Sequence, residues 1–231
     1  MLSLQDKSIG QNKFYNMISE NKISAELEDY NYAFNLESSK YFKEAYKIFL
    51  KLFENESFDS GDLAFHCGWC LENINQGRTT EVIAYYQKAG ETATDLKCRY
   101  NAYFRTGWVY LQLKDYRKSA EAFKKVIDIS DSFDDDIVQN AIYWYALSLE
   151  SLGCYLEAVK WYRVVADICP SLNPESRRRE ITCLINVGLF KDALKVCYTF
   201  YNPPPNPFNR ERYLELKKYA EKEIKLLELS F

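Results

Sequence analysis

The stretch Tyr155-Leu-Glu-Ala158-Val-Lys-Trp-Tyr162 decides the fold, because it recurs. Earlier copies are Tyr116-Arg-Lys-Ser119-Ala-Glu-Ala-Phe123 and Phe42-Lys-Glu-Ala45-Tyr-Lys-Ile-Phe49. A later copy is Phe190-Lys-Asp-Ala193-Leu-Lys-Val-Cys197, and a looser one is Thr80-Glu-Val82-Ile-Ala-Tyr-Tyr86. The small position falls at 45, 82, 119, 158 and 193, at intervals of 37, 37, 39 and 35 residues. The copies set an aromatic, a small residue three later and a large one four beyond that; the loose copy departs, with the turn Gly77-Arg-Thr before its helix and Val82 at the small position. This spacing forms one stripe of an α-helix. A fixed period of this size marks a stacked repeat, in which each unit buries a face against the next.

A second pattern precedes each copy. Ala33 and Leu36, Gly68 and Leu71, Gly107 and Tyr110, and Ala146 and Leu149 each put a small residue one helical turn before a larger one. A small residue lets a neighbouring helix approach closely, and the large one fills the adjacent gap. Each unit therefore reads as two antiparallel helices. Gly153 and Gly188 stand at the turn between them, where a left-handed backbone is cheap for glycine. The fifth unit departs from the pattern, with Ile181 at the small position and Cys197 at the aromatic one.

These residues resemble the tetratricopeptide repeat family. The best unit is 139–172, through Ala146, Leu149, Gly153, Tyr155, Ala158, Tyr162 and a closing Pro170. The resemblance covers residues 24–200 as about five units. It implies an all-α superhelix, a right-handed solenoid of antiparallel helix pairs. The expected organisation is an N-terminal arm at 1–23, the solenoid at 24–201, a proline-rich connector at 202–208 and a capping helix at 209–231. In that last helix Tyr213, Leu216, Ala220, Ile224 and Leu227 recur every three or four residues, with Asn209 as its cap. It either solubilises the end of the stack or acts as a detachable partner-binding or dimerising helix.

Composition agrees. All six prolines lie at position 170 or later, so nothing breaks a helix in the first 169 residues. Aromatic residues make up 16% of the 231 residues and must be buried or presented to a partner. A net charge of −3 argues against a nucleic-acid partner. No apolar run reaches the length of a membrane span, and no secretory signal opens the chain. Seven scattered cysteines, an odd number, fit buried thiols in a reducing cytoplasm.

Little in the sequence suggests catalysis. The single histidine sits in His66-Cys67-Gly-Trp-Cys70, half of a metal or dithiol site with no second half. Gly68 within it is the close-packing residue of a repeat helix, so core packing is the reading. The acidic run Asp131–Asp136 lacks the glycine and distal glutamate of a calcium loop and suits a helix N-terminus. Neither metal nor cofactor is expected, and no enzyme activity. Asn173 can cap the helix that carries Arg177-Arg178-Arg179, and Pro174 suits its first turn. Three cations there oppose the dipole; they are a solvated face or an anchor for an acidic or C-terminal carboxylate ligand.

In the family, the first helices of successive units line a concave groove. The stripe one residue past the inter-helix contacts then carries Tyr30 and Phe34, Phe65 and Trp69, Phe104 and Trp108, and Tyr143 and Leu147. The fifth unit changes to Arg178 and Thr182, and Asn101 and Asn140 lie one turn earlier. The resemblance implies that such asparagines hold the backbone of an extended peptide. Phe34, Trp69 and Trp108 stand where a chaperone-binding clamp would need polar residues, which argues against that role. Chaperones of type III secretion translocators also use apolar grooves, but in three units. The expected function is non-enzymatic: a scaffold or adaptor that takes an apolar or amphipathic peptide, or a partner helix. The alternative is a structural subunit whose groove is filled within a homo- or hetero-assembly.

Overall fold

The computed structural model describes residues 24–55, 59–74, 79–199 and 210–228. The expected arm, the proline-rich connector, the Asn209 cap and the turn at Gly77 lie outside them. So do the side chains of Tyr213, Leu216 and Leu227. The described residues form eleven helices and no strand. They are α1 (24–38), α2 (Phe42–Glu54), α3 (Ser60–Ile74), α4 (Thr79–Thr92), α5 (Leu96–Gln112), α6 (Tyr116–Asp128), α7 (Asp136–Ser151), α8 (Tyr155–Ile168), α9 (Asn173–Asn186), α10 (Phe190–Thr199) and α11 (Arg210–Glu228). Two compact units divide the chain, Met1–Ala102 and Tyr103–Phe231.

Consecutive helices pack in pairs, α2 on α3 and α3 on α4 in the first unit, and α6 through α10 in order in the second. The turns inside the pairs explain their sharpness. Lys40, Lys114, Gly153 and Gly188 all have positive φ, at 67°, 59°, 77° and 77°. Each turn closes in the same way. Tyr41, Asp115, Cys154 and Leu189 donate their N–H five residues back, to Leu36, Tyr110, Leu149 and Leu184. The preceding N–H groups donate three back, to Glu37, Leu111, Glu150 and Ile185. This double closure satisfies carbonyls that a helix end leaves open. Glycine was expected at two of these turns; lysine takes the same conformation at the other two.

The small positions are where the sequence places them. Ala45, Ser119, Ala158 and Ala193 are fully buried, and Val82 nearly so. The following large positions Phe49, Tyr86, Phe123, Tyr162 and Cys197 are also fully buried. The partner helix makes room for each ring. A Cβ on Gly68 would lie 3.0 Å from the Tyr86 ring, and one on Gly107 would lie 2.9 Å from Phe123. Burying such a ring contributes about 1.5–3 kcal/mol, so the small–large match drives the pairing.

Several helix starts carry side-chain caps, whereas α2, α8 and α9 do not. Asp115 accepts from the Lys118 N–H, and Asp135 from the Ile137 N–H at 2.7 Å. The acidic run thus caps α7, as expected. Asn173 does not cap α9: Leu172 occupies that place, and Asn173 Nδ2 donates back to the Ala166 carbonyl at 2.7 Å. Pro174 does sit in the first turn. The last helix α11 packs on α10 and α9, burying Ala220 and Ile224.

Candidate functional site

In the first unit the stripe builds up around one buried imidazole. His66 stacks on Phe49 with ring centres 4.6 Å apart, and its Nδ1 lies 2.8 Å from Glu37 Oε2. Tyr30, Phe34 and Phe65 all meet the same ring edge-on, at 5.8–5.9 Å. His66 therefore fixes the aromatic side chains of α1 and α3 rather than standing open for chemistry. Tyr30 is half-buried and donates its hydroxyl to Asp62 at 2.7 Å. Burial, and then Asp62, push that hydroxyl well above the ordinary tyrosine range. Phe34 is 46% exposed, and Phe65 and Trp69 are half-buried. Asn101 is half-buried, with its Nδ2 donating to the Lys97 carbonyl of its own helix at 3.0 Å.

Beside this stripe lies a cavity of about 400 Å³, lined by Leu27, Tyr30, Asp59, Asp62, Thr94 and Asp95. Its carboxylates are engaged in the fold. Asp59 accepts from the N–H groups of Gly61 at 2.8 Å and Thr94 at 2.6 Å. Desolvation raises the Asp59 pKa, but these N–H donors outweigh it and hold the carboxyl below its usual value. Asp95 accepts from the Cys98 N–H at 2.7 Å.

In the second unit Phe104, Trp108, Asn140 and Leu147 are half-buried. Phe104 sits edge-on to Phe123 at 5.4 Å, and Asn140 Nδ2 donates to the Asp136 carbonyl at 2.7 Å. Tyr143 differs from the expectation, being only 7% exposed. Its ring packs against Tyr162 at 6.0 Å, and the Arg179 guanidinium lies beside its hydroxyl. The half-exposed place on α7 falls to Trp144, which meets Trp108 edge-on at 4.9 Å. Trp144 was missed because the stripe was extended at fixed offsets from Ala146. Arg179 on α9 covers Tyr143 and shifts the open face by one residue.

The three arginines separate by role. Arg177 bridges Asp167 and the fully buried Glu180, at 2.7 and 2.9 Å, and Arg163 reaches Glu180 at 2.5 Å. Arg179 joins Glu150 at 3.2 Å and Glu175 at 3.3 Å. Arg178 stays exposed and lies over the Tyr219 ring of α11 at 5.2 Å. Thr182 approaches the Tyr219 hydroxyl at 3.4 Å. The fifth-unit positions of the stripe are thus met by the last helix.

Cys67 and Cys70 are buried in the core of the first unit. Burial first, then Glu37, pushes the Cys67 thiol up to about 12, so it carries no nucleophilic thiolate at neutral pH. Among the described residues no cluster of three or more His, Cys, Asp or Glu could hold a metal ion. No described helix is long and apolar enough to cross a membrane.

Comparison with known proteins places this geometry. Residues 100–133 match the tetratricopeptide repeat family. No curated protein matches the sequence. Among solved structures, MamA from Desulfovibrio magneticus RS-1 superposes with a TM-score of 0.58 at 16% identity, over 84% of this chain and 96% of that one. YrrB, described as a tetratricopeptide protein with an unusual peptide-binding site, superposes at 0.59 and 17% identity, over 94% of this chain and 96% of its own. At such identities the likeness speaks for the fold alone. The chain carries a tetratricopeptide repeat and takes the tetratricopeptide-repeat fold of consecutively paired helices.

Proposed function

We propose that the chain is a non-enzymatic interaction module that binds an apolar or amphipathic segment of a partner protein along the open stripes of its first helices. Each unit presents its own stripe: Tyr30, Phe34, Phe65 and Trp69 in the first, and Phe104, Trp108, Trp144 and Leu147 in the second. The observation that carries this reading is the partial exposure of Phe65, Trp69, Phe104 and Trp108. Aromatic side chains that neither close into the core nor reach full solvation are the usual anchors of interfaces. Asn101, Asn140 and Arg178 supply orientation at the edges of the stripes. Seven free cysteines suit a reducing compartment such as the cytoplasm.

Affinity capture from the native cell, run in parallel with Trp69→Ala and Trp108→Ala, tests the reading. A partner retained by the wild-type chain and lost from both variants is the expected result. Equal retention by all three overturns it.

One observation favours a second reading, a subunit whose stripes are filled within an assembly. Tyr219 already covers part of Arg178 and Thr182. On that reading the tryptophan variants dissociate an oligomer in sedimentation analysis and leave peptide binding unaffected.

A further inference from the structure

The Trp108–Trp144 pair carries an inference that rests on the proposed binding role and names its ligand chemistry. The two rings meet edge to face at 4.9 Å, on neighbouring first helices of the second unit, and both are half-exposed. Among the described residues no hydrogen bond engages either indole N–H, while Asn140 Nδ2 is already tied to Asp136. The face therefore combines aromatic surface with two uncommitted donors.

We propose that this face docks a proline-rich segment of a partner protein in the extended polyproline conformation. An indole is a donor only, so a ligand that covers it must bring acceptors or leave a desolvated N–H without a partner. An amphipathic helix spends its carbonyls on itself. A proline-rich chain has carbonyls in excess, because proline has no N–H and polyproline helix makes no internal hydrogen bonds. The two rings lie 4.9 Å apart, so one turn of such a ligand, about 9 Å for three residues, spans both. Aromatic grooves elsewhere read such segments in this way, with little ordering cost to the ligand.

The test titrates the full chain with a decaproline peptide and with an amphipathic helical peptide, following tryptophan emission and calorimetry. Decaproline is expected to bind. Trp108→Ala and Trp144→Ala are expected to weaken it by about tenfold or more. Trp144→Phe keeps an aromatic ring but loses the donor and part of the indole surface, and a several-fold loss is expected there with the fold intact by circular dichroism. Binding of the helical peptide alone overturns the proline inference and leaves the broader binding role standing. Binding of neither peptide overturns the inference, and partner capture that is also insensitive to Trp108→Ala removes the broader role with it. Decaproline affinity unchanged in all three variants overturns the assignment to this face. This chain carries Asn202-Pro-Pro-Pro-Asn-Pro207 itself. Self-association lost in both Pro204→Ala and Trp144→Ala would put a second copy on the face, against an external partner.

Discussion

Tyr162 on α8 donates its hydroxyl to Glu150 on α7 at 2.6 Å, and Tyr86 on α4 does the same to Glu72 on α3. The glutamate stands four residues after the small residue of each first helix, at Gly68 and Ala146. Where Leu111 takes that place after Gly107, the facing ring is Phe123, with no hydroxyl. In these three pairs the buried ring and its polar partner vary together; in the first pair Glu37 also follows Ala33 by four residues, but the ring is Phe49 and the carboxylate turns to His66. Burial and then the glutamate hold the Tyr162 hydroxyl far above the ordinary tyrosine range.

Tyr162→Phe is expected to cost about 1.5–3 kcal/mol, the range for a hydrogen bond to a charged group. Glu150→Ala should cost more, because it strips Arg179 of the same carboxylate. Urea midpoints of the two variants check the order. Equal midpoints for Tyr162→Phe and wild type would contradict it.

Close approach predicts a ranking among glycines. A Cβ on Gly61 would fall 2.1 Å from the Ala93 backbone N, where nothing can yield. One on Gly107 would meet a ring at 2.9 Å that can tilt. Gly61→Ala should therefore destabilise more than Gly107→Ala. Gly107→Leu should lose about 1–3 kcal/mol by overpacking. Thermal unfolding ranks them.

The turns predict effects of opposite sign. Around Gly153 a Cβ would meet nothing, so Gly153→Ala pays only for its left-handed backbone, about 1–2 kcal/mol. Lys114 already pays that cost at φ 59°, so Lys114→Gly should raise stability, by about 1 kcal/mol or less after the greater freedom of the unfolded glycine. Melting curves of the two single variants read both signs.

The repeat was legible because the small–large stripe is a local pattern, and the same stripe fixes which faces are buried. What stayed hidden depends on chain separations that no local pattern encodes. Asp59 ties α3 to Thr94, 35 residues on. Arg179 reaches Glu150, 29 residues back, and closes Tyr143 on the way. That one long-range contact moved the open face of α7 from Tyr143 to Trp144. The paired roles of Arg177 and Arg179 were illegible for the same reason, since Asp167 and Glu150 lie on other helices. Lys40 and Lys114 were missed because a left-handed turn is read from glycine, and the double closure holds without it.

Thiol chemistry gives a count. Of seven cysteines, Cys154 is exposed and the other six are buried. Burial raises Cys98 and Cys183 to about 12 and Cys197 to about 11. At pH 8 a soluble thiol reagent should label one group per native chain quickly and all seven after denaturation. Cys154→Ser should remove the fast phase. Two or more fast groups would mean that the helix pairs open readily.

The central claim is that the tryptophan stripe serves binding more than folding. Paired measurement of melting temperature and partner affinity for Trp108→Ala addresses it most directly. Loss of one edge-on ring contact should cost about 0.5–1.5 kcal/mol of stability, while affinity for the captured partner falls by about 2 kcal/mol or more. A variant that binds that partner like the wild type, yet unfolds far earlier or falls apart as an oligomer, would contradict the account.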